Sequence, residues 1–267
     1  MARRFRLAFW RKPRINVVEL HGLIASGPGL LNLAGAAPLI DKAFDTAHGQ
    51  PVILHIESPG GSPVQSDLIA AHIRRRAEKA KNEVHAVIGD TGASGGYWIA
   101  CAADQIHANP MSIVGSIGVR GGGFGFDRLI ARFGIDRRLY TAGGNKARLD
   151  PFLPERPEDV AFTQKLLDDL HVRFKAWVRE RRGARLTSDD ASVFDGSFML
   201  GEQARELGLI DGFADVESLV RTLAGDKAKP NVLRPRRRGL LRMLPRMAAG
   251  AMLDALEERH ARVWFLS

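Results

Sequence analysis

Two runs constrain the fold most: "PVILHI" (51–56) and "EVHAVIG" (83–89) are nearly all apolar, and each carries one histidine. A strand with one face in water alternates apolar and polar residues. One that is apolar at successive positions has both faces covered, the condition of a sheet between helical layers. Further strand-like runs are "INVVEL" (15–20), "DQIHA" (104–108) and "DRRLYT" (136–141), with helical patterns between the runs at about 36–47, 63–82, 94–102 and 126–133. This βαβα order predicts an α/β domain. On the same grounds His55 and His85 are core or edge histidines rather than catalytic groups.

After residue 150 the pattern turns helical. Apolar residues in "PEDVAFTQKLLDDLHVRFKAWVRERRG" (157–183) recur on one helix face, closed by Gly183. A short helix is predicted from Ser188, and another over 200–213 ended by Gly208. The compact domain is expected to run from about 15 to 225, between a basic segment at 1–14 and a tail at 226–267. With 267 residues, 45% of them apolar, the chain can bury a substantial core. Its one cysteine, Cys101, cannot form an internal disulfide, and no apolar stretch approaches the roughly 20 residues that cross a bilayer. The expectation is a cytoplasmic protein whose contact with the inner membrane is peripheral.

The net charge of +9 belongs to the ends. Residues 1–14 hold six bases and no acid, residues 226–267 ten bases and four acids, and the middle 23 bases against 26 acids. Bases mixed with apolar residues, as in "RRFRLAFWRK" and "RPRRRGLLRMLPRM", suit an anionic membrane surface. Nucleic acid ranks second as a partner, and two solvated tails are the plain alternative.

Glycine-bearing turns follow two of the strands, "SPGGS" at 58–62 and "GASGG" at 92–96. Ligands of open α/β sheets collect beyond the carboxyl ends of strands, so these turns can share a pocket. Gly60 and Gly61 allow backbone N–H groups to approach a ligand closely, and the helix beginning near Ser94 adds further N–H groups. Neither turn has the lysine and hydroxyl spacing of a phosphate-binding P-loop. Ser94, among glycines at a strand-to-helix junction, has the free neighbourhood a nucleophile requires. The later histidines, His107, His171 and His260, fall in a short strand, a helix and the tail, which gives little support to a Ser-His-Asp triad. A lysine can take the serine proton; arginine cannot, because it does not deprotonate in proteins. With 30 Arg to 9 Lys, Lys146 is the only lysine between positions 81 and 165, which makes it a candidate.

Taken in order, "SPGGS", "GASGGYWIACAAD" (92–104), "SIVGSIGV" (112–119) and "GGNKARLDPF" (143–152) resemble the signal peptide peptidase A family, the S49 serine peptidases. The resemblance covers about 15–225. It implies a ClpP/crotonase-like fold, a spiral of ββα units with strands in two roughly perpendicular sheets and C-terminal helices. It further implies Ser94 as nucleophile, Lys146 as general base and later acid, the Gly61 and Gly95 N–H groups as the oxyanion hole, and Ser116 as a hydroxyl that helps hold the lysine. No metal or organic cofactor is implied. The implied substrates are hydrophobic, signal-type or membrane-associated peptides, and the implied assembly is a homo-oligomeric ring or dome whose dyad forms within or between subunits. The chain departs from the family at Glu57, where asparagine is frequent, and in having a basic aromatic segment where many relatives carry a membrane anchor. "GVRGGGFGF" (118–126) is expected to be a flexible segment near the substrate groove.

Other readings of the same residues are a crotonase-like acyl-CoA enzyme, which also uses two backbone amides, a non-catalytic scaffold at the membrane, and a capsid-maturation peptidase of the same family. The tail segment "PRMAAGAMLDALEERHARVWF" has the apolar spacing of an amphipathic helix, with surface anchoring or packing on the body as its two uses.

Overall fold

The structure, a computed structural model, describes residues 13–187 and 190–235. The expected basic segment up to residue 12, the helix start at Ser188 and the amphipathic stretch after 235 lie outside the described residues.

The chain runs β1 (Arg14–His21), α1 (Leu33–Asp45), β2 (Val52–Ser58), α2 (Pro63–Ala80), β3 (Val84–Ala93), α3 (Gly95–Ala100), β4 (Gln105–Ala108), β5 (Ile113–Gly115) and α4 (Asp127–Arg132). It continues through α5 (Pro157–Arg182), α6 (Asp190–Val193), β6 (Phe198–Leu200), α7 (Gly201–Glu206), β7 (Gly212–Phe213), α8 (Val216–Ala224) and β8 (Lys229–Leu233). The mixed α/β class expected from the sequence is the observed one. Parallel β1, β2 and β3 form the centre of the sheet, whose order is β6-β5-β3-β2-β1-β8.

The double-faced apolar strands are covered as their composition requires. Val18, Leu20, Leu54, Ile56, Ala86 and Ile88 belong to the main core with Ile40 and Phe44 of α1 and Ile69 and Ile73 of α2. The opposite residues, Ile15, Val17, Ile53 and Val87, pack against Leu219 and Val220 of α8. Each fully buried aliphatic side chain contributes about 1.5–3 kcal/mol. The helices start where their caps place them: Asn32 accepts from Gly35 N at 3.0 Å before α1, and Asp215 forms a capping box with Ser218 before α8.

The sheet forks along β3. Its first half, His85–Ile88, pairs with β4, and its end, Thr91–Ala93, pairs with β5. β4 in turn pairs with β7, away from the main strand path.

Two expectations need correcting and one holds. Residues 136–141 form no strand; they are exposed throughout, and Arg137 pairs instead with Asp150 at 2.9 Å. The run has β-branched and aromatic character at too few positions to bury a face. The helix expected to be ended by Gly208 does stop there, as α7 with Gly208 at φ +78°, and residues 212–213 beyond it join β4 as β7. Lys229–Leu233, given to the tail by sequence, add a parallel strand beside β1, with Asn231 Nδ2 donating to Asn16 Oδ1 at 2.8 Å. The body therefore extends beyond residue 225.

Candidate active site

β3 delivers Ser94 into a sharp turn. Its φ of 50° and ψ of −120° suit glycine, and holding a serine there costs about 1–3 kcal/mol. Ser94 N donates to Gly115 O at 2.8 Å, and Ser94 O accepts from Trp98 N at 2.9 Å to start α3. The turn thus sits between β5 and a helix, and the side chain stays half-exposed.

The "SPGGS" turn packs directly against it. A Cβ at Gly60 would lie 2.7 Å from Ser94 Cβ and 2.9 Å from Gly95 N. Gly61 (φ +138°) sits so close to β1's extension that a Cβ would meet Ile24 O at 2.0 Å. Ile24 N donates to Gly60 O at 2.8 Å and Ser62 N to Ile24 O at 2.7 Å, the pattern of a parallel bridge. In such a bridge the N–H of the middle residue, Gly61, points to the opposite side. Gly95 opens α3, so its N–H has no acceptor within that helix. Ser94, Gly61 and Gly95 all line one cavity of about 1190 Å³. A hydroxyl and two backbone amides on one cavity are a donor set of the kind that acyl transfer uses.

Ser116 lines the same cavity, with φ +51° and its N–H bound to Ser197 O at 2.7 Å. Lys146 does not line it: the residue is exposed, in a turn where its N–H meets Gly143 O at 3.2 Å. Four of the five candidate residues are therefore together, and the proposed base is apart from them within one chain. The glycine run at 121–125 borders a second cavity of about 660 Å³, which shares Gln164 and Leu167 of α5 with the first.

Sequence reasoning missed the aromatic part of the first cavity's wall. Trp98 meets Phe174 and Trp177 at ring distances of 5.0 and 6.1 Å, and Trp177 Nε1 donates to Trp98 O at 3.0 Å. His171, set aside because it lies in a helix, also lines the cavity, its Nε2 3.0 Å from Ile117 O. Ile117 O accepts that bond, so the ring braces the segment after Ser116. The spacing 171, 174, 178 is a helix-face signal that marks these positions as inward. Cys101 offers no alternative nucleophile: it is fully buried, and burial pushes its thiol up to about 12. Among the described residues no group of acids, histidines and cysteine is arranged to hold a metal ion.

The family model for peptidase family S49 matches residues 76–229. The chain belongs to that family. A Na(+)/H(+) antiporter NhaA of Brucella abortus is 45% identical to the S49 chain over 247 residues, which are 91% of this chain and 33% of the antiporter. The S49 chain thus spans about a third of the Brucella relatives it matches. A Synechocystis chain named as a protease is 33% identical over 218 residues, 80% of this chain and 76% of its own length. The chloroplastic serine protease SPPA of Arabidopsis thaliana is 28% identical over 229 residues, 83% of this chain and 33% of its own. Among solved structures, a ClpP1 mutant from Listeria monocytogenes is similar at a TM-score of 0.46 and 14% identity, covering 74% of this chain and 91% of that one.

Proposed function

We propose that this S49 chain is a serine endopeptidase acting on hydrophobic peptides, with Ser94 as nucleophile and Lys146 as general base. The observation that supports this reading is that Ser94, Gly61 and Gly95 line one cavity, together with Leu23, Val64 and Trp98. Ser94 Oγ attacks the scissile carbonyl while its proton passes to Lys146 Nζ. The carbonyl oxygen, now negative, is held by the two amides, donors that a preorganised backbone offers without reorientation. Collapse breaks the C–N bond, and the proton held by lysine goes to the leaving amine. Water, deprotonated by the same lysine, then releases the acyl group and restores Ser94.

The separation of Lys146 from the cavity is part of the proposal. The segment that carries it exposes Phe124 (80%), Phe133 (70%) and Tyr140 (91%), more apolar surface than a solvated loop warrants. A second copy packing on this segment covers these rings and brings one copy's Lys146 to the neighbour's Ser94. Small-to-medium apolar side chains fit beside Leu23, Val64 and Leu68, which are exposed at the cavity rim.

For location, the Brucella relatives carry a matching region inside proteins named as antiporters, and the basic ends here suit an anionic surface. Among the described residues no helix is long and apolar enough to cross a membrane. We therefore place the peptidase body beside a membrane, where its substrates end. The deciding experiment is fluorophosphonate labelling read by intact mass, with cleavage of a fluorogenic hydrophobic peptide, on wild type, Ser94→Ala and Lys146→Arg. Labelling and cleavage by wild type alone supports the dyad; an inert wild type in its assembled state overturns the peptidase reading.

A further inference from the structure

Between its two halves β3 contains a bulge. Ile56 faces Ile88 and Ser58 faces Gly92, so two steps along β2 span four along β3. The extra residues, within Gly89–Thr91, are where the strand leaves β4 and turns toward β5 and Ser94. A bulge of this size strands backbone groups that the ladder no longer satisfies, and each needs a partner.

Two side chains supply them. Glu57 takes two amides of the bulge: Oε2 accepts from Asp90 N at 2.7 Å and Oε1 from Thr91 N at 3.0 Å. On the other side Ser112, buried ahead of β5, donates from Oγ to Gly89 O at 2.5 Å and accepts from Asn109 N at 3.0 Å. Gly89 leaves room for this, since a Cβ there would lie 2.1 Å from Glu57 Oε2. The backbone of Glu57 is also anchored, its carbonyl accepting from Gly22 N at 2.8 Å.

We infer that Glu57 is a positioning residue for the nucleophile: its carboxylate clamps the β3 bulge and so aims the strand end that carries Ser94. It touches neither substrate nor Ser94. A carboxylate is required because both oxygens accept; an amide side chain presents one acceptor and one donor, and the donor would face an N–H. This accounts for the acid at the position preceding "SPGG", and it rests on the reading of Ser94 as the nucleophile.

The test uses the full chain with Glu57→Gln and Glu57→Asp. The first keeps the size and removes one acceptor; the second keeps the charge and shortens the reach by a methylene. Both are expected to speed amide exchange at Asp90 and Thr91 by about tenfold, and to slow fluorophosphonate labelling of Ser94, per folded molecule, by about tenfold. Peptide cleavage is expected to lose kcat at nearly constant KM, because no substrate contact is removed. Unchanged exchange at 90 and 91, or unchanged labelling of folded protein, overturns the inference, and so does an aspartate variant that behaves like wild type. If wild type takes no label, the peptidase reading fails separately. Amide exchange at Ser94 and Gly95 in Glu57→Gln then still decides the clamp, with unchanged rates there sinking it.

Discussion

The proposed nucleophile and the proposed base sit in opposite kinds of structure. Ser94 is at the end of a central strand, among residues that are buried on both faces of the sheet and fixed by backbone bonds to β5 and α3. Lys146 lies in the 119–152 stretch, where Phe124, Phe133 and Tyr140 face solvent and the one helix, α4, buries no residue. Oxyanion donors must hold position to a fraction of an ångström, and a rigid core supplies that. A segment with this much exposed apolar surface can instead be ordered by a neighbour, so under the proposed mechanism assembly would bring the two groups together.

The sharpest contrast is expected in activity. Ser94→Ala removes cleavage and labelling by about three orders of magnitude or more, checked by intact mass and peptide turnover, while leaving thermal unfolding nearly unchanged. Lys146→Arg is expected to match it in activity, since guanidinium cannot accept the proton. Mixing the two inactive proteins under conditions that exchange subunits then tests the comparison directly. Recovery toward about a quarter of wild-type turnover, the share of neighbour pairs with both intact groups, places the dyad between copies. No recovery despite proven exchange confines it to one chain and breaks the contrast.

Stability separates the regions next. Leu54→Ala in the central sheet is expected to cost about 2–5 kcal/mol in denaturant unfolding. Phe133→Ser is expected to change the unfolding of the dilute chain by about 0.5 kcal/mol or less, yet to weaken self-association by sedimentation and lower activity with it. A large loss of stability in Phe133→Ser would show that the ring packs within its own chain.

The smallest effect concerns pH. His55 is held below the usual histidine range by burial and then by His21, and His107 by burial and then by His85. Both are therefore neutral in the fold at pH values where the unfolded chain, at about 6.5, binds a proton. Their contribution is complete above that value and is lost as pH falls below it through the folded values. The melting temperature of the body should drop modestly from pH 7 toward 5, and His107→Gln should flatten the curve, as followed by circular dichroism.

Much of this was legible from local pattern. The apolar runs announced β1, β2, β3 and β4, the 157–183 periodicity announced α5, and the two glycine turns marked the cavity. The run at 136–141 misled because its few β-branched and aromatic residues cannot bury a face, and all six residues are exposed. His171 was undervalued because helix membership says nothing of what the helix packs against.

Residue order and type alone determined which stretches must be buried, where the chain can turn sharply, and which hydroxyl stands among glycines at a strand end. These are properties of a few neighbouring residues, set by side-chain sterics and burial. Only the tertiary structure decided that β8 closes beside β1 across the length of the chain, that β3 forks, that Glu57 clamps the fork, and that Lys146 stands outside the cavity. Such pairings depend on contacts between residues far apart in the chain, whose loop-closure cost and summed burial no local window contains.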